Sequence, residues 1–233
     1  MEQVFTETLT VAEIVKRFPR ASDLFKSYQI NFCCGGNKSL IEATEEKNIS
    51  LDVVLSNLNK LYHETNALKE STIDWEHASS STIINHIIAK HHHYLNEELP
   101  LLTPYVTKVS RVHGETNPHL MTVNKLFQEL KIMLEQHIAK EEQDDFPALL
   151  AFEKQPTLEH REKIMKVIQE LENEHISTVN LLKEMRTITN DFTPPEGACG
   201  TYRLVYQRLE ALETDIYQHI HLENNILFPR VAA

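Results

Sequence analysis

His137-Ile138-Ala139-Lys140-Glu141, running on to Phe146-Pro147, recurs 82 residues later as His219-Ile220-His221-Leu222-Glu223, running on to Phe228-Pro229. The shared pattern is H-I-x-x-E-x-x-x-x-F-P. On a helix, residues i and i+4 share a face, so each copy presents an imidazole beside a carboxylate. Val123, Phe127, Leu130 and Leu134 lead into His137 and Glu141 at intervals of 4, 3, 4, 3 and 4, and Val205, Leu209, Leu212 and Ile216 lead into His219 and Glu223 at the same intervals. This is the apolar stripe of a bundle helix, and in both copies His and Glu take its last two places. A buried carboxylate with nothing to offset its charge costs several kcal/mol or titrates to its neutral form. Metal coordination removes that cost. A single His-x-x-x-Glu is ordinarily a surface pair; the duplication, the phase with the stripe and the common Phe-Pro point instead to two halves of a metal site.

The remaining composition fits a helical protein. The chain has 233 residues, enough for a large core, with 13 histidines, five glycines and one tryptophan. Histidine is the commonest metal-binding side chain, and few glycines suit helices. A net charge of -11 without a basic cluster argues against nucleic-acid or anionic-membrane partners. No apolar run approaches the roughly 20 residues that span a bilayer. Met1-Glu2-Gln3-Val4-Phe5-Thr6-Glu7 lacks the basic start and apolar stretch of a secretory signal, so a cytoplasmic chain is expected. Three cysteines, two of them adjacent at Cys33 and Cys34, do not make a disulfide framework.

The expected fold is all-α, in two domains. Residues 1–62 read as short helices: Val11 to Phe18, ended by Pro19; Ala21 to Tyr28, followed by the Cys-Cys-Gly-Gly turn; one after Asn37-Lys38-Ser39; and one capped by Ser50. Residues 63–75 turn polar and read as a linker. Residues 76–233 read as an up-down four-helix bundle with helices near 81–99, 118–145, 157–188 and 200–225, punctuated by Pro100, Pro118, Pro156 and Pro194-Pro195.

The first and third bundle helices complete the ligand set. In the third, Ile164, Ile168, Leu171 and Leu182 mark the inner stripe and His175 falls on it. In the first, Ile84 and Ile88 lead to His91-His92-His93, and periodicity admits either His91 or His92. One lone His and one His-x-x-x-Glu per half, with both carboxylates bridging, give each of two ions four protein ligands. Positions are left for an oxo, hydroxo or diatomic ligand. Imidazole and carboxylate without thiolate suit iron, manganese or zinc, and a six-ligand set with two carboxylates favours two irons over closed structural zinc.

These residues resemble the hemerythrin-like family, and the whole chain resembles the iron-sulfur cluster repair di-iron proteins of the ScdA and YtfE type, most strongly the staphylococcal form. The resemblance is carried by Ile30-Asn31-Phe32-Cys33-Cys34-Gly35-Gly36, Glu172-Asn173-Glu174-His175, Pro194-Pro195-Glu196-Gly197-Ala198-Cys199 and His219 through Pro229. It implies His92 as the first-helix ligand beside His137, Glu141, His175, His219 and Glu223, with Lys90-His91 departing from the aromatic residue relatives often carry there. The implied cofactor is a pair of non-haem irons, oxo- or hydroxo-bridged. The implied function is repair of iron-sulfur clusters damaged by oxidative or nitrosative stress through iron donation, rather than conventional enzymatic turnover. Damaged iron-sulfur proteins and diatomic ligands such as nitric oxide are the implied partners, in a homodimer. The alternatives are a di-iron nitric oxide or nitrite reductase, and a module that binds or senses O2 or nitric oxide. Val179 stands where oxygen-carrying hemerythrins have a further histidine, which disfavours a reversible carrier.

For Cys33 and Cys34 the residues admit thiolate chemistry on an accessible turn or two small buried side chains; the resemblance implies the thiol role. Cys199 reads as core or helix-start packing. His86, His113, His119 and His160 read as solvated or hydrogen-bonded, and His221 as lying outside the ligand shell.

Overall fold

The computed structural model describes residues 4–67, 74, 75 and 77–232. It divides into two compact units, Met1–Ile83 with Tyr217–Ala233, and Ile84–Ile216. Both divisions fall inside helices.

The first unit holds α1 (Val11–Arg17), α2 (Ala21–Ser27), α3 (Leu40–Glu46) and the longer α4 (Leu51–Ala67). Thr10 and Ser39 each form a reciprocal capping box, with Glu13 and Glu42 respectively. Thr10 and Ser39 also pair as an isolated antiparallel bridge, which joins the entrances of α1 and α3. The core gathers Phe5, Val11, Ile14, Phe18, Phe25, Leu40, Val54 and Leu58, all nearly inaccessible to solvent. Tyr62 on α4 packs edge-on against Phe5 and Phe18. Tyr62 packs on Phe5 and Phe18 and Thr65 accepts from Arg20, so α4 stays tied to this module as it runs on to Ala67, into the stretch expected as a linker. Residues 68–73 of that stretch lie outside the described residues.

The second unit is a helical bundle of α6 (His93–His113), α7 (His119–Lys140), α9 (Leu158–Ile188) and the first part of α10 (Gly200–Leu222). α5 (Ser80–His86) leads into α6 through a π-helical turn, Ile87–His92. α7 leads through a second π-turn, Glu141–Asp145, into α8 (Phe146–Lys154), and α10 leads through a third, Glu223–Leu227, into α11 (Phe228–Ala232). The stripe residues Val123, Phe127, Leu130, Leu134, Leu209, Leu212 and Ile216 are all buried. Arg208 clamps Glu98 with two hydrogen bonds of 2.6 and 2.7 Å, tying α10 to α6. Arg186 holds the fully buried Glu213, tying α9 to α10.

The helix expected to stop before Pro100 continues through Pro100 and Pro104 to His113. Each proline leaves the carbonyl four residues back without its donor, at about 3 kcal/mol. The apolar stripe Leu95, Leu99, Leu102, Val106 and Val109 continues unbroken across them, and burying five such side chains outweighs the defects. Phe146-Pro147 and Phe228-Pro229 likewise do not end their helices.

Candidate metal centre

Four of the expected ligands meet in the second unit. The last turn of α7 carries His137, the π-turn after it opens on Glu141, the π-turn before α6 closes on His92, and α9 carries His175. All four are buried, Glu141 completely. Glu141 lies between two imidazoles, with Oε2 3.3 Å from His92 Nε2 and Oε1 3.3 Å from His137 Nε2. Each oxygen of this one carboxylate thus faces a different imidazole. His175 Nε2 stands 3.2 Å from His137 Nε2, and His137, Glu141 and His175 each place a ligand atom within 4.8 Å of the others.

The opposite ring nitrogens are held from behind. His92 Nδ1 meets Glu142 Oε1 at 2.8 Å, and His137 Nδ1 meets Glu174 Oε2 at 2.6 Å. A carboxylate on Nδ1 keeps the proton there and leaves Nε2 as a lone-pair donor, the arrangement that backs metal-bound histidines. The His137 imidazole, against the cost of burial, draws the Glu174 carboxyl below its usual range, helped by Lys140. Lys140 also faces Asp145 and Glu170 at 3.7 and 3.5 Å. Burial opposes the Lys140 charge, but Asp145 and Glu174 outweigh it and raise its pKa. The His92 ring stacks on Phe146 at 5.8 Å, with the planes 11° apart, which fixes its tilt. The donor set of imidazole nitrogens and carboxylate oxygens, dry and backed by acidic partners, fits a bound divalent or trivalent metal.

In the first unit the other pair is equally buried: His219 Nε2 lies 3.0 Å from Glu223 Oε1. The Cys33-Cys34 turn sits beside this helix end. Asn225 Nδ2 donates to the carbonyls of Phe32 and Cys33 at 3.2 and 3.0 Å, and Asn224 Nδ2 reaches Cys34 Sγ at 3.8 Å. His221, on the same helix, meets Asn225 through Nδ1 and packs against Phe32. Its burial pushes the imidazole down to about 4, so it is neutral at pH 7.

The turn divides between the two readings, with Cys33 buried and Cys34 partly exposed. Asn31 Oδ1 accepts from the backbone N–H of both Cys33 and Cys34, curling the chain so that Cys33 faces the core and only Cys34 is partly exposed. Burial, then the adjacent Cys34, pushes the Cys33 thiol well above its ordinary value. The two sulfurs are 3.9 Å apart and unbonded. Gly36 has no room for a side chain: a Cβ would run into the Phe32 carbonyl and stand 2.8 Å from Ala12 Cβ.

The neighbouring histidines are engaged elsewhere. His91 turns away to Asp215, at 2.9 Å from Nδ1, with the His86 ring edge-on against it. His93 is exposed beside Glu97. The carboxylates Glu142 and Glu174 and the Phe146 stack were not read from the sequence. Their signal was present in the acidic residue directly after Glu141, the one directly before His175, and the Phe-Pro that recurs in both copies. Pro147 and Pro229 have no N–H for the carbonyls of Gln143 and Asn225, and those carbonyls fall inside the two π-turns that open on the glutamates.

A bundle whose buried His and Glu residues back one another in this way defines a helical metal-binding protein of the hemerythrin class. Residues 83–231 match the family model described as the hemerythrin HHE cation binding domain, and residues 7–62 match the N-terminal model ScdA_N, a domain of unknown function. The chain belongs to the family of iron-sulfur cluster repair proteins. It is 38% identical to the iron-sulfur cluster repair protein ScdA of Staphylococcus epidermidis over 98% of this chain and 100% of that one. It is 36% identical to ScdA of Staphylococcus haemolyticus over 97% and 98% of the two chains, and 37% identical to the iron-sulfur cluster repair protein YtfE of Escherichia coli over 96% of each. Among the described residues no helix is long and apolar enough to cross a membrane.

Proposed function

We propose that this chain is a cytoplasmic di-iron protein that repairs iron-sulfur clusters damaged by oxidative or nitrosative stress, with iron as its cargo. The observation that carries the reading is Glu141, wholly buried, with a separate imidazole on each oxygen, in a chain related over its full length to named repair proteins. His92, His137, Glu141, His175, His219 and Glu223 would be the six ligands of one dinuclear centre, two imidazoles to each ion and both carboxylates bridging. Residues 76–233 would form the iron-holding domain and residues 1–62 a small helical module that carries Cys33 and Cys34. Bound iron would supply redox chemistry, affinity for nitric oxide and a transferable metal. The protein's own part is to keep Nε2 of His92 and His137 unprotonated through Glu142 and Glu174. With four protein ligands per ion rather than a closed shell, release to a damaged cluster protein is feasible. Homodimerisation belongs to the same proposal and is tested by sedimentation.

The primary test is metal content and absorption of protein purified without oxygen. Two irons per chain are expected, lost in Glu141→Ala/Glu223→Ala. The iron-loaded protein is then expected to restore activity to a cluster enzyme damaged by nitric oxide, and His137→Ala/His219→Ala to restore none. Restoration by that metal-free variant overturns iron donation. A second reading, multiple turnover of nitric oxide or nitrite, draws on buried Val179 one turn beyond His175, where a smaller, non-ligating side chain adds no ligand. Turnover that outlasts iron loss would select it.

A further inference from the structure

At the other end of α6, about 30 Å along the helix from His92 at 1.5 Å per residue, a second cluster of reactive side chains has no part in the metal site. Cys199, the residue before α10, is exposed, and its Sγ lies 3.3 Å from Nε2 of His113, the last residue of α6. Of the two expected places for Cys199, core or helix-start packing, the core is therefore corrected. Cys199 stands at the start of α10, but its sulfur faces an imidazole and solvent.

The pair is held from both sides. The His113 ring leans on the buried Tyr202 ring, 5.7 Å between centroids with planes 37° apart. The Tyr202 hydroxyl is in turn fixed by His119 and Tyr206, each at 3.2 Å. Arg203 closes the other side: its backbone N–H donates to the Cys199 carbonyl at 3.1 Å, and its Nε donates to the Ala198 carbonyl at 3.0 Å. Access is open. Gly197, with φ at +79°, and Gly200 flank the cysteine, and a Cβ on either would meet nothing within 4 Å. Cys199 is itself exposed, and neither flanking glycine carries a side chain that could cover its sulfur.

From this geometry we infer that Cys199 and His113 form a thiol–imidazole pair that accepts reversible S-thiolation from low-molecular-weight disulfides. The Cys199 S–H proton passes to His113 Nε2 and the sulfur attacks one sulfur of the small disulfide. The new S–S bond forms as the old one breaks, and the departing thiolate takes the proton from the imidazolium. The disulfide supplies the oxidising equivalents: one half leaves as thiol and Cys199 ends as a mixed disulfide. A reducing thiol reverses the step. Cys33 is buried and Cys34 half-buried, so neither offers the sulfur with comparable access. This site is independent of the iron reading and survives its failure.

The experiment exposes the full chain, as purified, to 2-hydroxyethyl disulfide at pH 7, quenches with acid and locates the adduct by peptide mass spectrometry. Cys199 is expected to be labelled at least tenfold faster than Cys33 or Cys34, and dithiothreitol to remove the label. Preferential labelling of Cys34 overturns the proposal, and this arm needs no variant. In His113→Ala the Cys199 rate is expected to fall about tenfold or more, and added imidazole to restore it. Circular dichroism checks the fold, and His113→Gln replaces the alanine variant if that one unfolds. An unchanged rate, or a loss that imidazole does not restore in a folded alanine variant, means His113 only props the loop and overturns the pairing.

Discussion

At the residue scale, the histidines differ by what stands behind them. His91, His92 and His93 are consecutive, yet Asp215 takes the first, Glu142 backs the second and the third lies exposed beside Glu97. The backing carboxylates make a direct prediction. Glu142→Ala and Glu174→Ala are expected to weaken iron binding by roughly 10- to 100-fold each, measured by competition with a chelator, while leaving the helical circular dichroism unchanged. A smaller loss would show that the ring nitrogens need no carboxylate to hold their tautomer. Gly36 and Gly35 make a paired test of sterics. Gly36→Ala must displace the Phe32 carbonyl or Ala12 and is expected to destabilise the N-terminal module by about 1–3 kcal/mol. Gly35→Ala meets its nearest neighbour at 3.5 Å, an ordinary contact, and is expected to stay within about 0.5 kcal/mol in urea unfolding.

At the element scale, caps and π-turns place the side chains that matter. Thr10 holds Glu13 through its backbone N–H and then its hydroxyl, and Ser39 holds Glu42 through its hydroxyl and then its N–H, so both carboxyls sit below their ordinary range. A carboxylate with a depressed folded pKa adds stability that is complete above the unfolded value, about 4.3, and disappears as pH falls through the lower folded value. The helices α1 and α3 are thus expected to weaken below about pH 4, and Glu13→Gln/Glu42→Gln to flatten that acid limb in a circular dichroism titration. Thr10→Ala is expected to cost about 1 kcal/mol at pH 7. Between α9 and α10, Arg186 answers the buried Glu213 and also spans Asp191 and the Phe192 ring, which follow α9 in left-handed backbone. Removing it in Arg186→Met strands a buried carboxylate and is expected to cost about 3–5 kcal/mol, read as a lowered thermal midpoint. Arg186→Met/Glu213→Leu should recover most of that loss.

At the scale of the whole molecule, a buried set of acids and imidazoles couples metal to folding. In the proposed di-iron state, ligand binding to the native chain adds stability of RT ln(1 + [L]/Kd), about 4 kcal/mol at a thousandfold excess over Kd. Stripping the metal with a chelator is expected to lower the unfolding midpoint, and the shift to vanish in Glu141→Ala/Glu223→Ala. Equal midpoints with and without metal would mean the carboxylates are accommodated by the fold alone.

The sequence by itself determined the all-helical class and the inner stripe, because the 3.6-residue period writes the buried face of a helix directly into the chain. It also determined the short helices of the N-terminal module, through start and stop residues that are local in sequence, and the duplicated His-Glu pairs that pointed to metal. Tertiary structure decided what depends on residues far apart. Which of the two buried neighbours, His91 or His92, faces Glu141 was settled by Asp215 and Glu142, 124 and 50 residues away from their partners. That Pro100 does not stop a helix was settled by the stripe buried beyond it, and that Cys33 is buried by the core into which Asn31 curls it. Cys199 acquires His113 as a neighbour only because two helix ends, 86 residues apart in the chain, meet in space. Period and caps are short-range and legible; the partner of a polar side chain is a long-range contact, and the fold alone supplies it.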